Sequence, residues 1–229
     1  MAALTPASAS GRGLAGTESV FVPKGTIMAG LAGGFNSINA EDGVNVAGII
    51  TNADGNLTLC NVHGQVSWFV QNDIALGVRF GYADTAFDGN SLDVLDIVEL
   101  TDRHLRREMF EASLSLRRYL PIFGSDTFGF YAEGRLTGGR GYLKSYKYIK
   151  RGKVGSYSDI YSVNLGLYAG VCAFITDKFA LELSLPLASG GMEWSRQIES
   201  QENESTIKRG GVAFKPQLLG LNLGLILYF

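Results

Sequence analysis

The chain has 229 residues, room for one large domain, and its formal charge of −2 gives no support to binding a polyanion such as nucleic acid. Charged residues make up 18% where about 25% is typical, mean hydropathy is slightly positive, and no apolar run reaches the ~18 residues of a membrane-spanning helix. Gly is high at 30 residues while Pro is only 5, which excludes collagen and a disordered linker and suits β-structure with crowded backbones.

Residues 1–22 read as a flexible polar tail without the apolar core of a secretory leader, and the sequence is taken as a mature form. From there on, apolar residues recur at every second position in eight segments. The first, TIMAGLAGGF, sets Ile27, Ala29, Leu31 and Phe35 against Met28, Gly30, Ala32 and Gly34. The second sets Cys60, Val62, Val66, Trp68 and Val70 against Asn61, His63, Gln65 and Ser67. The third opposes Ile74, Leu76, Val78, Phe80 and Tyr82 to Ala75, Gly77, Arg79 and Gly81. In the fourth, Phe110, Ala112, Leu114 and Leu116 face away from Glu111, Ser113, Ser115 and Arg117. The fifth divides Phe128, Phe130, Ala132 and Leu136 from Tyr131, Glu133, Arg135 and Thr137. The sixth divides Tyr161, Val163, Leu165, Leu167 and Val171 from Ser162, Asn164, Gly166, Tyr168 and Gly170. The seventh opposes Phe179, Leu181, Leu183, Leu185 and Leu187 to Ala180, Glu182, Ser184 and Pro186. The last, LLGLNLGLILYF, carries Leu221, Leu223, Leu225, Leu227 and Phe229 on one face and Asn222, Gly224, Ile226 and Tyr228 on the other. Only 91–107 could form a short helix, between two strands. Cys60 and Cys172 fall too far apart for a disulfide and are expected to be free thiols.

The connections alternate in length. QND, PIFGSDT and TDK are tight turns, whereas the connections at about 36–56, 84–106, 142–157 and 190–212 are long. In an antiparallel meander all short turns then lie at one end and all long loops at the other, the asymmetry of bacterial outer-membrane barrels. A soluble ligand-binding barrel also alternates, with its apolar side chains inside. Here the apolar set is too bulky for an eight-stranded interior, and the opposite face is crowded with Gly, Ala and Ser. The segments are also long enough to cross an apolar slab when tilted. The apolar face is therefore expected to meet lipid, in a closed ring that leaves no amide unpaired. Aromatics near the segment ends (Phe35, Trp68, Phe69, Tyr82, Phe128, Phe130, Tyr161, Phe179 and Phe229) are expected to form two interfacial girdles.

Over about residues 25–229 the chain resembles the small eight-stranded outer-membrane β-barrel family of the OmpA/OmpX type, on the loop asymmetry and the final strand. The resemblance implies an all-β, transmembrane, antiparallel up-and-down barrel (23–229) in the bacterial outer membrane, with residues 1–22 in the periplasm and a leader removed. It also implies that Leu221, Leu223, Leu225, Leu227 and Phe229 form the signal read by the barrel-assembly machinery.

Inward charges Arg79, Glu111, Arg117, Glu133, Arg135 and Glu182, with His63, are expected to pair as a structural polar plug, since isolated charges in a narrow lumen are costly. The sharper alternative is a narrow ion path. Between strands five and six, Lys144, Lys147, Lys150 and Arg151 alternate with Tyr146 and Tyr148; they are candidates for contacting lipopolysaccharide phosphates or a partner protein, against solvated lysines paired with the acidic loop before them. His63 and His104 are the only histidines, and neither sits in a hydrolase, zinc or phosphate-loop pattern, so no enzyme, metal or cofactor is expected. The favoured function is a structural or binding scaffold acting through loops or lipid-facing wall, as an accessory of a larger envelope complex with other outer-membrane proteins. A narrow transport pore is the alternative, and a lipid-modifying enzyme ranks below both.

Overall fold

The computed structural model describes residues 20–46, 50–94, 98–149, 152–199, 203–213 and 220–229. Its strands are β1 (Ile27–Val46), β2 (Ile50–Gln71), β3 (Ile74–Val94), β4 (Val98–Pro121), β5 (Phe128–Ile149), β6 (Gly152–Phe174), β7 (Phe179–Glu199), β8 (Asn203–Ala213) and β9 (Asn222–Tyr228). Each of β1 to β7 pairs antiparallel with the next. β8 and β9 lie in succession along one edge of β7, from Glu199↔Asn203 to Ser189↔Ala213 and from Ser184↔Asn222 to Phe179↔Leu227. They are two stretches of one eighth strand. β9 also pairs with β1, from Met28↔Tyr228 to Gly33↔Leu223, and closes the ring.

The three short turns fall where the sequence puts them, at Asn72–Asp73, in a single 3-10 turn at Ile122–Gly124, and at 175–178. Asp73 (φ 62°) and Phe123 (φ 51°) take the left-handed conformation that tight reversals need. The four expected long loops are different: nearly all of each is strand. The β3–β4 ladder runs on to Val94↔Val98, and β5–β6 to Ile149↔Gly152. The stretch 91–107, open to a short helix on sequence, is instead paired strand at Ser91–Val94 and Val98–Arg107. Once the lower part of a hairpin fixes register, each further pair adds ladder hydrogen bonds, and that outweighs the weak strand preference of the Asp, Asn and Gly there. At about 3.4 Å per residue and a tilt of about 40°, the 21 residues of β3 rise roughly 55 Å, about twice the ~25 Å apolar band of a transmembrane barrel.

That band is visible in which side chains are exposed. Ile27, Leu31 and Phe35 on β1, Val62 and Val66 on β2, Val78 and Phe80 on β3, Leu114 and Leu116 on β4, Leu165 and Leu167 on β6, and Leu223 and Leu225 on β9 all stand on the outer surface. In water such a continuous apolar surface would drive aggregation, whereas in a bilayer it is the solvated face. Trp68, Phe128, Phe130 and Phe229 border it at the short-turn end, and Phe35, Tyr82, Phe110 and Tyr161 at the other. Phe69 is a correction to the expected girdle. It points inward and is fully buried.

Inside, absent side chains make room for present ones. A Cβ on Gly170 would strike the ring of Tyr131, and one on Gly30 would strike Ile226. At the short-turn end the lumen is floored by Phe21, Val22, Met28, Phe69, Tyr119, Phe174, Ile226 and Tyr228. Phe21 packs edge-on to Phe174 at 5.2 Å and against Tyr119 at 5.9 Å. The segment before β1 is strapped across this floor by hydrogen bonds. The Val22 N–H donates to Asp73 Oδ1 (2.6 Å), Lys24 N–H to Asn72 Oδ1 (2.9 Å) and Gly25 N–H to the Phe69 carbonyl (2.8 Å), while Asp73 N–H donates to the Val22 carbonyl (2.9 Å). Residues 1–19 of the expected tail lie outside the described residues. Cys60 is exposed and Cys172 buried, and both are free thiols.

Candidate functional site

Four strands bring the inward charges to one level above the floor. Strand parity aims Arg79 (β3), Arg117 (β4), Glu133 and Arg135 (β5) and Glu182 (β7) at the barrel axis, where all five are buried. Glu133 takes three guanidiniums: Arg79 Nη1 at 3.2 Å, Arg117 Nη2 at 2.5 Å and Arg135 Nε at 2.5 Å. Glu182 accepts from Arg117 Nη1 at 2.8 Å and from the Tyr119 hydroxyl at 2.7 Å. Arg117 also lies 4.1 Å from the ring centroid of Tyr131, and Arg135 lies 3.7 Å from that of Tyr168. His63 Nε2 sits against Arg79 Nη2. Since a guanidinium only donates, this His63 nitrogen can take part only as the acceptor.

Of the seven residues expected in the plug, the structure brings Arg79, Arg117, Glu133, Arg135, Glu182 and His63 together. Glu111 is the exception, since it lines the lumen above the cluster and is exposed to it. Several partners that complete the plug escaped sequence reasoning. Tyr119 and Tyr228 lie beyond the charged stretch of their strands, yet their hydroxyls meet at 3.0 Å beside Glu182. Arg107 pairs with Glu193 across the lumen at 2.6 Å, from stretches read as loop ends. Inward parity at those positions was the available signal.

Above the apolar band the outer face changes character. Arg106 holds Asp84 through two bonds, Nε to Oδ1 at 3.2 Å and Nη2 to Oδ2 at 2.8 Å, and reaches Glu108 at 3.1 Å. The Tyr142 hydroxyl donates to Glu108, which pushes its pKa up to about 12 and keeps it a donor at neutral pH. Lys144 Nζ lies 4.7 Å from the Tyr142 ring, Tyr142 stacks with Tyr157 at 5.9 Å, and Arg140 lies 5.5 Å from the Tyr161 ring. His104 stacks on Tyr146 at 4.7 Å. A tyrosine-rich shelf with exposed Arg106, Arg140 and Lys144 therefore sits just above the level of acyl chains. A ring of strands closed at the level of its apolar band by β1 and β9, oily outside and ion-paired inside, with tight turns at one end and tall hairpins at the other, has one physical setting. The fold is that of an outer-membrane β-barrel.

No family model matches the barrel's sequence, and no curated protein matches it. Among solved structures, the Neisserial surface protein A is similar in fold (12% identity, 90% of this chain and 98% of that chain covered, TM-score 0.41). So are a major outer membrane protein from Thermus thermophilus (12%, 89% and 99%, TM-score 0.49) and the outer membrane protein OprG from Pseudomonas aeruginosa (12%, 92% and 99%, TM-score 0.48).

Of the candidate loop residues, Lys144 and Tyr146 sit on the outer shelf of the barrel. Lys147 and Tyr148 are described only in the backbone course of β5. Lys150 and Arg151 lie outside the described residues. In β9, Leu221, Leu223, Leu225, Leu227 and Phe229 all face outward, as the final-strand pattern requires.

Proposed function

We propose that the protein is a non-conducting outer-membrane scaffold, without enzymatic activity, that engages the phosphates of lipopolysaccharide and neighbouring envelope proteins through its outer shelf. The observation that carries this reading is the double seal of the lumen. The ion-pair layer around Glu133 fills the axis, and the strap at Phe21 and Val22 covers the floor beneath it. A barrel blocked twice has its outer surface left for work. There Arg140 and Lys144 stand among tyrosines at headgroup height, where cations gain from anionic lipid and aromatic rings sit favourably. His63, the histidine in the lumen, is engaged with Arg79 rather than poised beside a nucleophile, which supports a role outside catalysis.

Conductance tests the reading. In planar bilayers the refolded barrel is expected to give no stable channel, and a large, long-lived conductance would replace the scaffold with the transport pore. The shelf is tested by reversing charge at Arg140 and Lys144 (R140E, K144E). Weakened retention on lipopolysaccharide micelles is expected, and unchanged retention would remove the lipid half of the proposal.

A further inference from the structure

Above the apolar band the wall of the barrel is not continuous. β8 is bonded to β7 along one edge, from Glu199↔Asn203 to Ser189↔Ala213, and among the described residues no ladder joins its other edge to β1. β1 is bonded to β2 as far as Val46↔Ile50, while its ladder to β9 stops at Gly33↔Leu223. The 11 residues of β8 and the stretch Ala40–Val46 of β1 are thus two strand edges that bound one seam. The wall beneath explains the seam. β7 bulges at Leu187, since Leu167 pairs with Ala188 and Tyr168 with Pro186. Between Ser184 and Ser189 β7 advances five residues, while its partner chain spends nine between Ala213 and Asn222. A strand displaced in this way does not continue the β9 register against β1.

An open edge presents a row of backbone N–H and C=O groups to any strand that can pair with it, and sheets guard such edges with proline, short strands or charge. Neither edge contains proline, and β8 is not short. The charges have opposite signs on the two edges: β1 carries Glu41 and Asp42, and β8 carries Lys208 and Arg209 against a single Glu204. Like edges therefore repel and unlike edges attract. Direction agrees with charge. β1 is antiparallel to β9, and β8 and β9 run the same way along β7, so β8 is antiparallel to β1. Copies inserted into one bilayer share an orientation, and a two-fold axis between them runs along the membrane normal. Such an axis sets β8 of one copy antiparallel to β1 of the other, twice over, whereas β8 against β8 would be parallel and basic on both sides.

We propose that the occupant of this seam is a second copy of the chain. Beyond the apolar band, β8 of each protomer pairs with β1 of its partner, and each copy closes the open edges of the other. The contact is made by the upper hairpins and is separate from the shelf at Arg140 and Lys144.

The test uses the full chain in bilayers, with the exposed Cys60 replaced (C60S). Chains carrying V44C on β1 are mixed with chains carrying T206C on β8 and treated with a short bis-maleimide; L114C, on the lipid-facing wall, sets the level of random collision. A V44C–T206C product of twice the chain mass is expected, several-fold above the L114C level and above either homologous product. Reversing the β8 charges (K208E with R209E) in the T206C chain is expected to lower the mixed product several-fold, and E41K with D42K in the V44C chain to restore it. Mixed product at the L114C level, a T206C–T206C product exceeding the mixed one, or failure of the reversed β1 charges to rescue would each overturn the proposal. So would an internal link that leaves a chain carrying both V44C and T206C monomeric, since the seam would then close on itself.

Discussion

Glu133 holds three guanidiniums with one carboxylate, at a depth where water cannot stand in for it. Replacing it with glutamine leaves the geometry but strands the positive charges. Breaking a buried ion-pair cluster in this way costs about 3–5 kcal/mol. Glu133→Gln is expected to lower the urea midpoint of the barrel in micelles accordingly. Asp73 tells a different story at the β2–β3 turn. Burial raises its pKa, only partly offset by the Val22 and Phe21 backbone N–H groups it accepts from and by Arg118. A carboxyl whose folded pKa lies above its unfolded value (about 3.9) contributes stability below that value, and the contribution is lost as pH rises through the folded one. Asp73→Asn keeps an oxygen for Val22 N–H and tolerates the positive φ, so it should be at least as stable as the parent at pH 7. It should also lack the parent's loss of stability as pH rises from about 4, both read by unfolding titrations at several pH values.

β9 shows how much of an element is legible in advance. Its alternation, Leu221 to Phe229 outward and Asn222 to Tyr228 inward, reads directly from the sequence because a strand has period two and one face must meet lipid. The rule that reveals the wall also sets a depth-dependent cost. An arginine at Leu225, level with Leu31 at mid-band, should cost about 2–4 kcal/mol, and one at Phe229, on the rim, about 0–1. Unfolding titrations of L225R and F229R in lipid bilayers check the gradient. The strap was not legible, because Phe21 and Val22 stand in a stretch without periodicity and are held by turn residues from β2–β3. The upper halves of the strands were not legible either, since Gly, Asn and Asp there mimic loop composition while neighbouring strands supply the pairing. The inward charges could be named because a lone charge in a lumen demands a partner; which partner took which could not, for that depends on shear and side-chain reach. Phe21→Asp should release the strap, read as protease cleavage before β1. It should leave the bilayer non-conducting, because the Arg117–Glu133–Glu182 layer still fills the axis.

As a whole the molecule is sorted by environment along one axis. At the short-turn end lie the strap and an aromatic floor, then come the ion-pair layer and a polar cavity, with tall hairpins above, all wrapped by an apolar band and topped outside by a tyrosine–arginine shelf. Each layer depends on the same orientation of the wall, since turning the strands by one residue would put the arginines in lipid and the leucines in the lumen. Spin labels placed singly at Leu31, Val66, Val78, Leu114, Leu165 and Leu225, in the barrel reconstituted into bilayers, report that orientation directly. Collisions with dissolved oxygen are expected to exceed those with a water-soluble nickel chelate at all six positions. Labels more accessible to the aqueous chelate than to oxygen would place the leucine face in water and contradict the account.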